Sequence, residues 1–392
     1  MSADTKPVAA IVTEYRQNSH ADTIVGRILE GFNFDGKAKP ALRLVSLYTD
    51  QVPQNDWSRP LAKKHGVTIY ETIEGAVTLG KNDVSVEGVL CIGEHGDYPT
   101  NEKGQVLYPR RRFFEQVALA LEKHNRPVPV FNDKHLSYNW DDAKWMYERA
   151  RQLMVPLMAG SALPVTWRVP PLRLELGTRI SEAVVVAYGD VESYGFHALE
   201  TLQCMVERRR GGECGVTAVQ CLEGPAVWRA ERHFEWSAKL RDAALGVCPG
   251  AKKGSPIDNC GDRVAAFLID YCDGLKATVL ILNGHLDQFG FAARLRGVTR
   301  GVGIRANVAA CRFHLQEQRP YGHFAHLVRA IEDMVLTGHP AYPVERTLLT
   351  TGILDALMTS RQDGHKPIET PHLRTVRYEP VDYPFAADPI PG

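Results

Sequence analysis

The sequence lacks several features that mark common classes of protein. No run of about 18 consecutive apolar residues occurs in its 392 residues, so no membrane-spanning helix is predicted. Lysine plus arginine and aspartate plus glutamate both number 46, which gives a formal net charge of zero. No basic stripe suited to nucleic acid is visible, and the N-terminal MSADTKP has no apolar signal core. We therefore expect neither a nucleic-acid partner, nor export, nor a membrane span.

The 8 cysteines are also too dispersed to form a recognisable framework. None of them forms a CxxC pair, which argues against a zinc knuckle and against a compact disulfide scaffold. Reduced thiols are typical of the cytoplasm, and this is the location that we expect. A chain of this length exceeds a usual single core, so two domains are expected.

The first half of the chain alternates between strand and helix patterns. Short apolar runs at residues 8–12, 42–48, 86–92 and 128–131 predict strands, and the apolar spacing of residues 24–32 predicts an amphipathic helix. Such alternation is typical of a parallel sheet with right-handed crossover helices. The segments that continue it are residues 61–65, 67–70 and 73–77.

Glycine is missing where a dinucleotide-binding sheet needs it. The motif G-x-G-x-x-G would follow the first strand, because glycine lets the backbone approach a pyrophosphate, but residues 13–20 read TEYRQNSH. Glu14 also adds a like charge. Amides at the helix start could still attract an anion, although Asn18 or Ser19 acting as a helix cap explains the segment without any ligand. Binding of NAD or NADP thus stays open, with candidate residues Arg16, Ser19, His20 and Asp50.

Two polar loops follow the strands at residues 86–92 and 128–131. The first contains Glu94, His95 and Asp97, and the second reads Asp133-Lys134-His135 before a helix that Asn139 is predicted to cap. Parallel strands bring their carboxyl ends to one edge, so we expect the two loops to meet. They could act as acid and base or bind a divalent metal, and the candidate ligands are Glu94, His95, Asp133 and His135.

The stretch from this strand through Asp133-Lys134-His135, an acidic helix start and the VPLM of residues 155–158 resembles the Gfo/Idh/MocA oxidoreductase superfamily. The superfamily usually has Glu-Lys-Pro here. The resemblance implies that Lys134 lies beside nicotinamide and substrate. It also implies that His197, in the YGFHALE of residues 194–200, is the acid/base toward a substrate hydroxyl. The family's aspartate is replaced by Ser193, so Glu192 or Glu200 is expected to orient the imidazole.

The resemblance covers roughly residues 8–370 and predicts an α/β fold class. A Rossmann-like parallel-sheet domain is expected at residues 1–166, an α+β domain with a large, mostly antiparallel open sheet at 167–377, and a surface tail at 378–392. The family uses that sheet for oligomer contacts, so a homo-oligomer is expected. Strand patterns occur at residues 180–188, 215–222, 226–229, 277–283 and 289–295, and helix patterns at 323–336 and 348–358.

The segment of residues 97–112 has two interpretations. It could be a lid whose basic rim, Arg110, Arg111 and Arg112, recognises an acidic or phosphorylated ligand. A helix start paired with Glu115 is the simpler interpretation.

Three functions stay open on the sequence. The first is an NAD(P)-dependent enzyme acting on a sugar, polyol or glycoside, with His197 taking the hydroxyl proton and Lys134 stabilising an oxyanion. The second is a nicotinamide-independent lyase, epimerase or hydrolase that uses metal or acid and base, and the third is a non-catalytic carbohydrate sensor or partner subunit. The candidate catalytic residues are Lys134, His197, His135, Glu94 and His95, and the candidate substrate-binding residues are Asp97, Asp133, Trp167, Arg168 and Glu200.

Overall fold

The computed structural model describes residues 5–390, and the first half of them forms a six-stranded sheet with only parallel pairings. Its elements are β1 (Lys6–Val12), α1 (His20–Glu30), β2 (Leu42–Thr49), α2 (Ser58–His65), β3 (Thr68–Ile69), α3 (Ile73–Thr78), β4 (Gly88–Ile92), α4 (Arg110–Lys123), β5 (Val130–Asp133), α5 (Trp140–Gln152) and β6 (Leu157–Gly160). The strand order is β3-β2-β1-β4-β5-β6. The order therefore reverses between β1 and β4, where such sheets bind their ligands.

Local sequence explains where the first helices begin and end. Ser19 caps α1 by accepting a hydrogen bond from the Asp22 amide, and Gly31, with a φ of 92°, ends the same helix. Asn139 caps α5 in the same way, as predicted. The apolar residues of β1 are fully buried because helices cover both faces of a parallel sheet.

The rest of the chain forms a ten-stranded mixed sheet with its own helices. They are β7 (Trp167–Val169), β8 (Ile180–Ala187), α6 (Ser193–Val206), β9 (Val216–Glu223), α7 (Pro225–Arg232), α8 (Ala238–Leu245), α9 (Pro256–Cys260), β10 (Val264–Tyr271), β11 (Lys276–Leu282), β12 (Phe289–Leu295), β13 (Arg300–Gly301), β14 (Ile304–Arg305), β15 (Val308–His314), α10 (His323–Thr337), α11 (Glu345–Gln362) and β16 (Ile368–Glu369). The order is β13-β14-β15-β12-β8-β11-β10-β9-β16, with β7 beside β15. Only β8 and β11 pair in parallel, so the predicted α/β fold class with a mostly antiparallel second sheet is confirmed.

Both faces of this second sheet are covered at its centre. Val185 of β8 belongs to the large core that includes residues of α6 and α11. Its neighbours Val184 and Val186 point to the other face, where α8, with the buried Leu240, packs on β8 and α7, with Trp228, packs on β9 and β10. Away from the centre, Ala218, Gln220, Leu268 and Asp270 on this face stay partly exposed, and the homo-oligomer contact through the sheet stays a prediction.

One sequence prediction in this half was wrong. Residues 226–229 belong to the helix α7 and not to a strand, because Gly224 and Pro225 start a helix whose Val227, Trp228 and Ala230 are buried. The spacing of apolar residues over so short a segment does not distinguish a helix from a strand.

The tail from residue 378 lies mostly along the surface, and buried side chains anchor it there. The Tyr378 and Tyr383 side chains are buried, and the Trp167 indole donates a hydrogen bond of 2.9 Å to the Asp388 carbonyl. Pro391 and Gly392 lie outside the described residues. No helix among residues 5–390 has both the length and the apolar character needed to cross a membrane.

A fully buried ion pair joins α6 to α11. Arg346 donates to both carboxylate oxygens of Glu207, from Nη2 at 2.6 Å and from Nε at 2.9 Å. The Tyr378 hydroxyl donates to the same carboxylate at 2.8 Å. The tail therefore completes the solvation of a charge that has no access to water.

Candidate functional site

A cavity of about 500 Å³ lies at the carboxyl ends of β4, β5 and β6, where the second sheet closes over the first. This is the edge at which open α/β sheets bind ligands. The two polar loops predicted to meet do meet here. Ionisable side chains in its wall include His20, Glu94, His95, Lys134, His197 and His323.

A histidine–aspartate pair forms part of this wall. His20 is the first residue of α1 and Asp133 is the last of β5, and His20 Nδ1 lies 2.6 Å from Asp133 Oδ2. Asp133 is fully buried, whereas His20 retains some exposure. A buried carboxylate on one imidazole nitrogen fixes the ring and leaves the other nitrogen for a ligand.

Sequence reasoning missed this pair. It placed His20 at a cofactor and Asp133 at substrate or metal, because the two residues are separated by 113 positions in the chain. One indication of it was present in the sequence: His20 and Asp133 each follow a predicted strand, so both lie at the same edge of the parallel sheet.

A second chain of contacts connects the loops after β4 and β5. Glu94 accepts a hydrogen bond of 2.6 Å from Arg110 and lies 3.4 Å from Lys134 Nζ. Burial alone would raise the pKa of Glu94, but the charges of Lys134 and Arg110 hold that pKa well below its usual range. Behind them, His135 lies 3.1 Å from Arg110 and 3.4 Å from Glu192. Lys134 therefore presents an ammonium group to the cavity beside a carboxylate whose ionised form is favoured.

The four candidate metal ligands do not form a metal site. Residues 5–390 contain no group of three or more histidine, cysteine, aspartate or glutamate side chains suited to a metal ion. The reason is electrostatic, since cations already occupy the carboxylate of Glu94 and would repel a divalent ion. The described residues therefore do not support the metal prediction for Glu94, His95, Asp133 and His135.

Three further imidazoles of the wall are held neutral. Burial lowers the pKa of His95 to about 4 and that of His323 to about 3, and burial beside Lys134 lowers the pKa of His197 well below its usual range. His95 Nε2, His197 Nδ1 and His323 Nδ1 are buried and lack a hydrogen-bond partner among the described residues. Neutral imidazoles with free nitrogens can donate to or accept from the hydroxyl groups of a ligand.

The expected orienting partner of His197 is not present. Glu192 contacts His135, and the Glu200 carboxylate accepts a hydrogen bond of 2.8 Å from the Ser161 amide. Within residues 5–390, neither glutamate bonds to the His197 ring. Aromatic rings surround it instead, with the Tyr194 and Phe289 centroids 5.9 and 6.4 Å from its own.

Two cavity residues have a strained backbone. His95 and Lys134 adopt left-handed conformations, with φ of 70° and 64°. The left-handed region costs roughly 1–2 kcal/mol for a side chain of this size, and such strain tends to occur at functional sites. Both residues line the cavity, Lys134 directly after the end of β5 and His95 in the loop after β4.

Glu200 lies directly behind the cavity wall, where it bonds to Ser161, and its titration can be tested through protein stability. Its burial raises the pKa from the ordinary 4.5 to about 7, so folding favours the protonated form. Its contribution to stability is thus complete below about pH 4.5 and is lost as the pH rises through 7.

We expect Glu200→Gln, which keeps the acceptor for the Ser161 amide, to be about 3 kcal/mol more stable than wild type at pH 8 but not at pH 4.5. Urea unfolding at both pH values measures the difference. An equal difference in the free energy of unfolding at both pH values would show that Glu200 does not titrate in the folded protein.

The groove that a dinucleotide would need is crossed by hydrogen bonds of the chain itself. The Trp57 amide donates to the Tyr15 carbonyl and the Gln51 amide to the Thr13 carbonyl, both at 2.7 Å. These bonds join the turn before α1 to the loop after β2, between which the adenosine half of a dinucleotide lies in such folds. Gln51 also bonds twice, at 2.8 and 2.9 Å, to the backbone of Asp97.

The candidate cofactor residues have partners within the protein. The Asp50 carboxylate accepts from the Tyr48 and Tyr98 hydroxyls at 2.9 and 2.7 Å and from Arg112 at 2.7 Å. Arg16 donates to Glu14 at 2.6 Å, while Ser19 caps α1 and His20 pairs with Asp133. The residues present therefore do not fit a nicotinamide dinucleotide bound in the usual groove.

The remaining candidates lie away from the cavity wall. Trp167 bonds to the tail, and Arg168 donates to the Pro164 and Leu172 carbonyls at 3.3 Å. Asp97 is exposed beside Gln51.

The basic rim is not free to recognise an anion. Arg110 is buried against Glu94, Arg112 pairs with Asp50, and Arg111 pairs with Glu115 at 3.1 Å as the simpler interpretation predicted.

No protein-family model and no curated protein matches the sequence. Solved structures do match, although their sequence identity to this chain is low. GenD2 from gentamicin A biosynthesis, in complex with NAD, is 16% identical with a TM-score of 0.55, over 94% of this chain and 97% of its own. Myo-inositol 2-dehydrogenase from Lactobacillus plantarum is 12% identical with a TM-score of 0.53, over 93% of this chain and 99% of its own. An oxidoreductase from Agrobacterium radiobacter, in complex with NAD+, L-tartaric acid and magnesium, is 12% identical with a TM-score of 0.54. The match covers 93% of this chain and 98% of the other. The chain therefore has the two-domain fold of these dehydrogenases, as the resemblance to the Gfo/Idh/MocA superfamily predicted.

Proposed function

We propose that the protein is a nicotinamide-independent enzyme that moves a proton on a hydroxylated small molecule. The observation that carries this proposal is the 2.6 Å contact between His20 Nδ1 and Asp133 Oδ2 in the wall of the cavity. Fold alone does not determine chemistry, and the site of this chain differs from a dinucleotide site where the cofactor would bind.

The cavity supplies a complete set of groups for proton transfer beside a carbonyl. His20 Nε2 takes the proton from the carbon, and Asp133 stabilises the imidazolium that results. The electron pair moves to the carbonyl oxygen, where the Lys134 ammonium stabilises the negative charge. His20 can return the proton to the same face of that carbon, which exchanges it with solvent, or transfer it to a departing hydroxyl on the next carbon, which releases water. Solvent exchange and elimination thus share one base and one oxyanion partner.

The walls favour an uncharged, hydroxyl-rich ligand. The imidazole rings of His95, His197 and His323 line the cavity, and a neutral imidazole both donates and accepts, as a hydroxyl group does. Tyr188, Tyr194 and Phe289 form an aromatic surface with centroid separations of 5.1 to 6.4 Å, and it suits the C–H face of a ring. Sugar-like compounds, the class to which the inositol dehydrogenase neighbour's substrate belongs, meet both requirements.

Solvent exchange tests this function whichever product the enzyme releases. The protein is incubated in D2O with a panel of aldoses, ketoses, keto-polyols and aldonic acids, and mass spectrometry measures deuterium bound to carbon. We expect wild type to incorporate deuterium into a member of the panel and His20→Gln to incorporate none. Exchange that survives in His20→Gln would reject the dyad as the base, and binding without exchange would favour the carbohydrate sensor.

NAD(P)-dependent oxidoreduction is the second candidate, because Lys134 and His197 line the same cavity and the GenD2 neighbour binds NAD. Our proposal predicts that about 1 mM NAD+ or NADP+ leaves the melting temperature unchanged. Ligand at about 100 times its Kd would add about 2.7 kcal/mol of stability. Nucleotide released on denaturing the purified protein, together with such a shift, would favour the oxidoreductase.

A further inference from the structure

A second concave site lies at the opposite end of β8 from the cavity. It has a volume of about 300 Å³ and is built from the start of β8, the turn after α6, the β10–β11 turn and the end of β12. Eight residues of extended chain separate Ile180 in this site from Tyr188 in the cavity wall, a distance of about 26 Å. A ligand bound here would not touch the groups that perform the proposed proton transfer.

Arginine dominates the walls of this second site. Arg179, Arg210 and Arg296 are exposed at its rim, and none of the three forms an ion pair within the described part of the chain. The carboxylate in the wall, Asp273, is already bound to Arg209 at 2.6 Å. Arg209 also pairs with Glu213, so the four arginines and the two carboxylates leave two positive charges in excess around one small volume.

The backbone beneath the rim is fixed by hydrogen bonds. The Arg296 amide donates to the Arg179 carbonyl and the Arg210 amide to the Thr178 carbonyl, both at 2.9 Å. Below them the Arg209 side chain is 2% exposed, bonded to Glu213 at 3.0 Å and stacked over the Tyr271 ring at 4.6 Å. The side chains at the rim can move, but their attachment points stay together, so their mutual repulsion persists until an anion binds.

We propose that this arginine pocket, formed by Arg179, Arg210 and Arg296 above Arg209, binds the phosphoryl group of a small molecule. Guanidinium groups match phosphate oxygens with paired N–H donors, and charge assistance strengthens each bond. The concave shape and the volume suit a phosphorylated metabolite better than the extended backbone of a nucleic acid.

Calorimetric titration of the full chain tests the site with three probes: inorganic phosphate, pyrophosphate and glucose 6-phosphate. The variant is Arg179→Gln/Arg210→Gln/Arg296→Gln. A matched control, Arg232→Gln/Arg300→Gln/Arg305→Gln, removes the same charge from exposed arginines outside the pocket. We expect saturable binding that weakens at least about tenfold in the variant and stays within about twofold of wild type in the control. Unchanged melting temperatures verify that both variants fold.

Each probe also reports which ligand the pocket prefers. Tighter binding of glucose 6-phosphate than of inorganic phosphate supports a phosphorylated metabolite, and the reverse order supports the free anion, with the phosphoryl site upheld in both cases. Equal weakening in variant and control would overturn the proposal, since it would show general charge attraction. Absence of saturable binding of all three probes to wild type would overturn it as well.

Discussion

Replacing Asp133 by asparagine is expected to lower turnover by about 100-fold to 10,000-fold while the protein stays folded. Asparagine keeps the size of the side chain but cannot stabilise the imidazolium that His20 becomes when it takes a proton. It can also hold the imidazole in the wrong tautomer. The rate of deuterium incorporation at saturating substrate gives the loss in kcat, and the melting temperature reports the fold.

Two comparisons make this result specific to the dyad. Asp97→Asn changes an exposed carboxylate at the same sheet edge, outside the cavity, and should retain wild-type turnover. Combining Asp133→Asn with His20→Gln should cost little more than His20→Gln alone, because the two residues act as a unit. Additive losses, or an equal loss in Asp97→Asn, would contradict the assignment.

Arg346→Met is expected to destabilise the protein by about 3–5 kcal/mol, since it leaves the fully buried Glu207 carboxylate without its cation. The Tyr378 hydroxyl still donates to that carboxylate, but a single neutral donor does not replace two charged ones. The free energy of unfolding in urea measures the loss.

The same helix provides a control. Arg361 of α11 pairs with Glu223 at 3.1 Å near the surface, so Arg361→Met should cost no more than about 1 kcal/mol. The double variant Glu207→Gln/Arg346→Met should be more stable than Arg346→Met, because it removes the isolated charge. A double variant as unstable as the sum of its parts would show that the pair matters through packing and not through charge.

The sequence predicted the elements that depend on local patterns. Alternating apolar runs predicted the parallel sheet, and parallel geometry predicted that Glu94 and Lys134 would meet. The dyad was not predictable in this way, because the position of His20 depends on how α1 packs across a sheet whose fifth strand is formed much later in the chain. The burial of Tyr378 was missed for the same reason, since its partner Glu207 belongs to another helix.

Predictions made from residue type alone were misleading where the charges of neighbouring side chains determine what a site can bind. Glu94, His95, Asp133 and His135 have the side chains of metal ligands, but the cations beside them are supplied by Arg110 and Lys134. The run Arg110-Arg111-Arg112 looked basic, although each side chain faces a carboxylate in the fold. The charge that a ligand meets depends on ion pairs between side chains that the fold brings together. Composition does not contain this information.

The covering of the second sheet has a consequence for how the protein responds to dilution. Where a sheet face is buried only against another subunit, the folded fraction falls as the protein is diluted, because association is a second-order process. Here α8, with the buried Leu240, packs on that face of β8 within the same chain. Stability gained from these contacts is therefore the same at nanomolar as at micromolar concentration.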